Sequence, residues 1–271
     1  MIEWKRYNGA LVPKAPPHIE PTAEDVKAAK KQGGYRFITY ATDFDCKEET
    51  PWWYVIKDTP IVLEEVKSTF RYKINKGLRY VNIRKIDCRE YGQALYHCYT
   101  KAQERYSAHE GHVSKEDYLR ALENDPSEYY AAFFIETDEL VAYMKNEVNG
   151  ECVNMSVIKY DPEYLKYQIS AALTYRVLYD YLNEGRCRYA LDGQRAIRHK
   201  TNIQEYLEHY FGFRKAYCRL QIHYSLVMKV AVTLLYPFRN GIERRAGDNV
   251  LLNNVASVLK MEEIRRQCRK K

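Results

Sequence analysis

Cysteine pairs, long apolar runs and an excess of charge of one sign are all missing from this sequence. Its seven cysteines are an odd number, and none of them belongs to a CxxC motif. Structural zinc sites and the disulfide frameworks of small secreted domains depend on such pairs, so the pattern disfavours both classes. We therefore expect a reducing compartment and no bound metal.

We also expect neither a leader nor a membrane span. Glu3, Lys5 and Arg6 near the start are not followed by an apolar run, unlike in a signal peptide. The most apolar stretch, Ser225–Tyr236, is shorter than the roughly 20 residues that a spanning helix needs, and Lys229 interrupts it. These absences predict a soluble, cytoplasmic protein.

The charge balance is only mildly basic. The 43 lysines and arginines are offset by 36 acidic residues, which leaves a net charge of +7. A surplus of this size does not indicate a protein that coats nucleic acid. It allows an anionic partner such as a coenzyme phosphate, a tRNA or an acidic lipid surface, without requiring one.

Composition and periodicity divide the 271 residues into four segments. Residues 1–34 are rich in proline, charge and glycine and predict an extended lead-in on the surface. Residues 35–83 predict a partial αβ segment, and residues 227–271 a C-terminal helical extension. Between them lies a core at residues 84–226. From the strand just before it, this core shows the order β-α-α-β-β-β-α-β-α-β.

Within the core, three short apolar segments at 130–135, 140–144 and 153–158 are separated by turn residues, which predicts an antiparallel meander. The following stretch, 165–182, is apolar on nearly all sides. We predict a largely buried helix there, ended by Gly185.

This order of elements, together with the segment Asn202–Arg214, resembles the GNAT superfamily of acyl-CoA-dependent N-acyltransferases. The segment looks like the family's last helix and its Gly-Phe turn, here Gly212 and Phe213. A plain helix stop is the structural alternative, because glycine readily takes the positive φ that ends a helix. The resemblance covers about half of the chain. It implies a mixed α/β fold with a GNAT-like central mixed sheet flanked by helices.

Two features depart from the usual pattern of that superfamily. The stretch Tyr160–Ala171 contains no glycine, whereas the family's pyrophosphate loop reads Q/R-x-x-G-x-G/A. Glu208 stands where many members have a tyrosine general acid. With the partial αβ segment and the basic stretch Arg71–Arg79, these departures are closer to the Fem-type and BioF2-like branch, which transfers aminoacyl or acyl groups.

The resemblance implies three alternative functions. The first is an N-acyltransferase that moves an acyl group from acyl-CoA, such as acetyl-CoA, or a related thioester to an amine of a small molecule, an amino sugar or a peptide. The second is a Fem-like aminoacyltransferase that depends on aminoacyl-tRNA. The third is a non-catalytic GNAT-like binding protein, because one fold hosts many functions.

Acyl transfer to an amine needs a base, donors for the carbonyl oxygen and a proton for the leaving group. The candidate catalytic residues are Asp192, His199 and Glu163, since a carboxylate with a raised pKa or a histidine accepts a proton near neutral pH. Each has a structural alternative. Asp192 begins a good turn, His199 lies in a polar loop, and Glu163 suits the first turn of a helix.

The resemblance also implies binding residues around the turn before the buried helix, whose N-terminus offers free N–H groups to a coenzyme pyrophosphate. The expected cofactor-binding residues are Val157, Lys166, Gln168, Ser170, Ala171 and Asn202. The expected substrate-binding residues are Tyr160, Tyr167, Arg195 and Arg198. With 26 tyrosines in the chain, any single tyrosine is a weak signal.

Two further surfaces could hold a partner. The basic cluster between Lys67 and Lys85 suits a tRNA backbone, with an exposed solubilising helix face as the alternative. The apolar segment Leu226–Tyr236, followed by Arg239, could rest on an anionic membrane as a peripheral contact. We instead expect this segment to be buried against the core.

Overall fold

The structure is a computed structural model that describes residues 1–105, 113–197, 202–247 and 249–269. The chain forms two compact units. The first contains Met1–Val55, Gln194–Asn202 and Lys215–Lys271, and the second contains Ile56–Gly193 and Ile203–Arg214. The four segments drawn from the sequence are a different division of the chain, and their boundaries stay a prediction.

The strands of the described residues are β1 Trp4–Tyr7, β2 Ala10–Pro13, β3 Phe37–Thr42, β4 Trp52–Lys57, β5 Val81–Ile86, β6 Glu128–Phe134, β7 Leu140–Asn149, β8 Cys152–Tyr160, β9 Tyr189–Gln194 and β10 Arg214–Tyr224. The α-helices are α1 Ala23–Gln32, α2 Ser68–Tyr80, α3 Gly92–Arg105, α4 Lys115–Glu123, α5 Ile169–Leu178, α6 Ile203–Phe211, α7 Leu226–Leu235, α8 Arg239–Ala246 and α9 Val250–Arg269. From β5 to β10 the order along the chain is β-α-α-β-β-β-α-β-α-β. The predicted order is therefore confirmed.

The second unit contains a mixed sheet in the order β9-β8-β7-β6-β5. Strands β5 to β8 pair antiparallel with their neighbours, which confirms the predicted meander. Strand β9 is parallel to β8. Six consecutive residues of β6 are buried. Because successive side chains of a strand point to opposite faces, both faces of the sheet are covered there. The predicted fold class, a mixed α/β fold with a central mixed sheet flanked by helices, is confirmed.

The predicted buried helix consists of three parts. A 3-10 helix at Pro162–Tyr167 leads into α5, and a π-helix at Tyr179–Asn183 follows it. Seven of the ten residues of α5 are buried, as the all-round apolar pattern predicts. Helix α2 packs on α5. Gly77 makes the close approach possible, since a Cβ atom built on it would lie 2.6 Å from the Gln168 main-chain oxygen.

The first unit contains a sheet in which β1, β2, β3, β10 and β4 follow one another. Strands β1 and β2 form an antiparallel hairpin, β2 is parallel to β3, and β10 pairs antiparallel with β3. Its core contains Trp52, Leu220 and Ile222 from the strands and Ile264 from α9. Helix α9 therefore belongs to the core of this unit.

Residues 1–34 are not the extended lead-in that the sequence predicts. They form a hairpin and a helix, and Trp4, Leu11 and Val26 are buried together. A capping box between Thr22 and Asp25 begins the helix. The prolines stand outside the helix, so they bound the elements instead of preventing them.

The segment Leu226–Tyr236 also differs from expectation. It forms α7, and the side chains of Leu226, Val227, Val230 and Leu234 are exposed instead of buried in the core. Only Val232 of α7 is buried. Among the described residues, no helix is both long enough and apolar enough to cross a membrane.

Candidate active site

Strands β8 and β9 of the second unit separate part-way along their length. They pair over only three residues, from Cys152 opposite Tyr189 to Asn154 opposite Leu191. A bulge in β8 follows at once, because Met155 and Val157 pair with consecutive residues of β7 and Ser156 is left over. A bulge bends its strand and increases its twist. The bulge therefore accounts for the gap that opens between β8 and β9.

Asp192 is the first residue of β9 beyond its pairing with β8, so its position is at the opening of this gap. The side chain is half-buried. Burial raises the pKa of the Asp192 carboxyl to about 7, and a hydrogen bond with the Gln204 side chain opposes this rise only in part. A carboxyl with this pKa exchanges protons near neutral pH, as a general base must.

Tyr206, from α6, is a second polar group of this region. Its hydroxyl is hydrogen-bonded to Ser170 of α5 and is near Tyr160 at the end of β8. Burial and the neighbouring Tyr160 raise the pKa of Tyr206 above its ordinary value, while the Ser170 hydroxyl opposes the rise. Tyr206 therefore keeps its proton at neutral pH and is a potential proton donor.

Aromatic packing holds the Tyr206 ring in place. The ring centroid of Phe70, on α2, is 5.9 Å from that of Tyr206, 4.4 Å from that of Tyr210 and 5.1 Å from that of Phe211. Phe70 is buried. Since aromatic side chains have few rotatable bonds, such a cluster fixes the direction of the Tyr206 hydroxyl.

The turn before α5 has a backbone of unusual conformation. Gln168 precedes the helix with a φ of 62°, in the left-handed region, and its side chain does not cap the helix. Asp161 caps the preceding 3-10 helix by accepting a hydrogen bond from the Glu163 main-chain N–H at 2.9 Å. The turn before α5 therefore contains a left-handed residue other than glycine.

Three of the predicted residues are near helix α6. Tyr160 and Ser170 are next to Tyr206, and Asp192 is hydrogen-bonded to Gln204. Val157 is on β8 beyond its pairing with β9. The side chain of Ala171 is buried, so only its main chain could contact a ligand.

Other predicted residues have different surroundings. Glu163 is exposed and 3.6 Å from Lys101. Lys166 is exposed, with its Nζ 5.1 Å from the Tyr167 ring centroid. The Tyr167 ring also contacts Tyr80 and Phe134. Tyr167 thus belongs to an aromatic cluster with residues of α2 and β6.

The remaining predicted residues belong to the first unit or lie outside the described residues. Arg195 is in the first unit, where its guanidinium stacks on Trp53 at 4.5 Å and donates to the Pro51 main-chain oxygen. Asn202 is exposed in the same unit. Arg198 and His199 lie outside the described residues.

Two residues of the candidate site were missed in the sequence. The first is Gln204, whose side-chain amide donates to the Asp192 main-chain oxygen at 3.3 Å. The second is Tyr206, which is one of 26 tyrosines and is therefore not marked by its residue type. Within the described ranges, no three His, Cys, Asp or Glu side chains are grouped as metal ligands.

Comparison with known proteins identifies the fold. No family model and no curated protein matches the sequence. Among solved structures, FemX aligns with a TM-score of 0.56 at 10% identity, over 78% of this chain and 77% of its own. L-PGS from Bacillus licheniformis aligns with a TM-score of 0.52 at 15% identity, over 85% of this chain and 84% of its own.

The chain has a GNAT-like fold, similar to those of FemX and L-PGS. These two alignments confirm, at the level of the fold, the resemblance inferred from the element order and from the Gly212–Phe213 turn. A tandem GNAT protein from the clavulanic acid biosynthesis pathway also aligns, with a TM-score of 0.42 at 10% identity over 80% of this chain and 75% of its own.

Proposed function

We propose that this GNAT-like protein is an acyltransferase that moves an acyl group to an amine acceptor, with Asp192 as the general base. The observation that carries the proposal is the position of Asp192, half-buried where β9 leaves β8, together with a pKa raised to about 7. An amine must lose a proton to attack a carbonyl carbon, and a carboxylate of this pKa accepts that proton near neutral pH.

In this proposal, groups around the gap carry out the remaining parts of the reaction. The amine nitrogen forms a bond to the acyl carbon, its proton goes to Asp192, and the bond from the acyl carbon to the leaving group breaks. Main-chain N–H groups of β8 beyond Asn154, around Val157, would stabilise the oxyanion. Tyr206 would give its proton to the leaving group, while Ser170 and Phe70 fix its orientation.

The acyl donor in this proposal is acyl-CoA or a related thioester. Lys166 is exposed beside the N-terminus of α5, where main-chain N–H groups would accept a phosphate. The left-handed Gln168 takes the place of a loop glycine at that turn. The residues at this turn therefore fit a thioester donor. They would make fewer contacts with its phosphates than a glycine-rich loop makes.

Binding and turnover test the proposal separately. Calorimetry with acetyl-CoA and longer acyl-CoAs should give micromolar binding that Lys166→Ala and Ser170→Ala weaken. Release of the free thiol, followed over a panel of amines, should then fall strongly in Asp192→Asn while donor binding is retained. Binding by the wild type with no thiol release from any amine would favour a non-catalytic binding protein.

A second candidate is transfer from aminoacyl-tRNA, and the surface of α2 favours it. The helix contains no acidic residue, and Lys73 and Arg79 are exposed on it. Such a face attracts a phosphate backbone in a salt-dependent manner. This candidate predicts salt-sensitive tRNA binding that a Lys73→Glu, Arg79→Glu variant loses, and no binding of acyl-CoA.

A further inference from the structure

The solvent-facing side of α7 is apolar, whereas the solvent-facing side of an ordinary surface helix is polar. Leu226, Val230 and Leu234 recur at intervals of four residues and are 84%, 59% and 66% exposed. Val232, on the opposite side of the helix, is only 5% exposed and faces the protein. A surface helix normally turns its apolar stripe towards the core. Here the helix has an apolar stripe that the described part of the chain does not cover.

The stripe continues past the end of the helix. Phe238, in the 3-10 turn Tyr236–Phe238, is 66% exposed. Val227, at the side of the stripe next to Leu234 and Val230, is exposed as well. Contiguous exposed apolar side chains of this kind mark contact with a partner or a membrane.

A basic cavity adjoins this end of the stripe. Its volume is about 460 Å³, and it is lined by four arginines, by Tyr236 and by one carboxylate, Glu263. The arginines are Arg239, Arg265, Arg266 and Arg269. The guanidinium groups of Arg239 and Arg266 stack on the Tyr236 ring at 4.5 Å and 3.7 Å. Arg239 also pairs with Glu263 at 3.3 Å, and Arg265 and Arg266 each pair with Glu262 at 2.7 Å. A guanidinium group has five N–H donors, so donors beyond those used in these pairs are suited to bind phosphate oxygens.

We propose that α7 and the adjoining arginine cavity dock this protein on an anionic phospholipid bilayer. The apolar stripe would enter the boundary between headgroups and acyl chains, as interfacial helices do. The arginines and Lys229, which flanks the stripe, would contact lipid phosphates. A single partner, the anionic bilayer, would thereby cover the apolar stripe and bind the arginine cavity.

A second copy of the chain fits this surface less well. It would offer an apolar face, but the same excess of arginine would accompany that face. Like charges brought into one interface disfavour the pairing. An anionic bilayer instead carries the charge opposite to that of the cavity.

Sedimentation with vesicles tests the proposal on the full chain. Wild-type protein should bind vesicles of phosphatidylcholine with phosphatidylglycerol at least about tenfold more strongly than vesicles of phosphatidylcholine alone. The double variant Val230→Glu, Leu234→Glu should lose this binding, since two carboxylates would enter the apolar boundary. The double variant Lys229→Gln, Arg269→Gln should lose most of the preference for the anionic vesicles.

Ile135→Glu is the matched control, because Ile135 is 58% exposed on the second unit. It should bind vesicles like the wild type. Circular dichroism checks that all variants are folded. Two results would overturn the proposal: wild-type binding that neither double variant changes, or no vesicle binding together with a dimer, seen by light scattering, that the α7 variant converts to a monomer.

Discussion

The side-chain amide of Gln204 donates a hydrogen bond to the main-chain oxygen of Asp192, and the same side chain is hydrogen-bonded to the Asp192 carboxyl. This pair fixes the first turn of α6 to the part of β9 beyond its pairing with β8. It also orients the carboxyl at the gap between β8 and β9. Because the amide only partly opposes the effect of burial, Asp192 keeps a pKa near neutrality.

Turnover should depend on the ionised form of Asp192. Once a donor and an amine are found, the wild-type rate should rise with pH through about 7, since the carboxyl must be deprotonated to act as a base. Asp192→Asn should lower the rate at least about a hundredfold and remove this pH dependence. Steady-state thiol release across pH measures both effects.

Glu151→Gln is the control for that measurement, because Glu151 is an exposed acid in the turn before β8, paired with Arg188 at 3.5 Å. It should behave like the wild type. An Asp192→Asn enzyme that keeps a rate within about threefold of the wild type would exclude the base role.

The raised pKa of Asp192 can also be tested without a substrate, because it makes the free energy of unfolding depend on pH. A raised pKa means that the folded protein binds a proton more tightly than the unfolded chain. The stability that protonated Asp192 gives to the fold is fully present below the pKa of this carboxyl in the unfolded chain, near 3.8. It is lost as pH rises through the folded pKa of about 7. Asp192→Asn should therefore raise the free energy of unfolding at pH 8 by about 1–3 kcal/mol, after allowance for partial exposure.

Chemical denaturation at pH 8 and at pH 4 measures this difference. At the lower pH the two proteins should have similar stabilities, because Asp192 is then protonated in the folded state. A variant that is destabilised equally at both pH values would show that the carboxyl is not held at a raised pKa.

Tyr206→Phe should slow turnover without unfolding the site. The substitution keeps the ring contacts with Phe70 and Phe211 and removes only the hydroxyl that bonds to Ser170. We expect kcat to fall about ten- to hundredfold with little change in donor binding. Equal kcat for the variant and the wild type, with a donor whose leaving group needs a proton, would contradict the donor role.

Glu128 should make the protein sensitive to acid. Burial by itself would raise its pKa, but hydrogen bonds from Lys85, Tyr181 and Arg186 outweigh this effect and lower the pKa to about 2. A lowered pKa stabilises the fold above the unfolded value of 4.5 and ceases to do so as pH falls towards 2. Glu128→Gln should cost up to about 3 kcal/mol at pH 7 and progressively less below pH 4.

Unfolding by denaturant across this pH range checks the prediction. Glu136→Gln, in the exposed turn between β6 and β7, is the control and should leave the stability unchanged at every pH. A Glu128→Gln cost that is constant with pH would mean that the carboxylate is not preferentially ionised in the folded state.

Gly77→Ala should separate α2 from α5. The added methyl group would lie 2.6 Å from both the Ala172 Cβ and the Gln168 main-chain oxygen, neither of which can rotate away. We expect a loss of about 1–3 kcal/mol, measured by thermal or chemical unfolding. Gly241→Ala, in α8, has no neighbour closer than 3.9 Å and should be neutral or slightly stabilising.

The order of elements from β5 to β10 follows from local signals in the sequence. The meander segments alternate with turns, and Gly212 marks the end of α6 with a φ of 68°. Asp192 is predicted as a candidate base because it follows a short strand, and its role stays a prediction. The bulge at Ser156, which opens the gap, has no such signal, because it depends on how β8 pairs with β7.

The two ends of the chain were interpreted less well. Prolines near Trp4 and Leu11 suggested an unpacked segment, although those side chains are buried beside Val26. The apolar content of α7 suggested burial, although its stripe faces outward. Composition reports how apolar a helix is. Which side of it the core covers depends on distant residues such as those of α9.

The pairing of β3 with β10 affects how the first unit forms on the ribosome. Phe37 pairs with Tyr224 and Thr42 with Arg219, so nearly the whole second unit is translated between the two strands. At a translation rate of about 5–20 residues per second, β10 is synthesised about ten to forty seconds after β3. During that interval one edge of the nascent strand is exposed. The sheet of the first unit can therefore be completed only after the second unit has been translated.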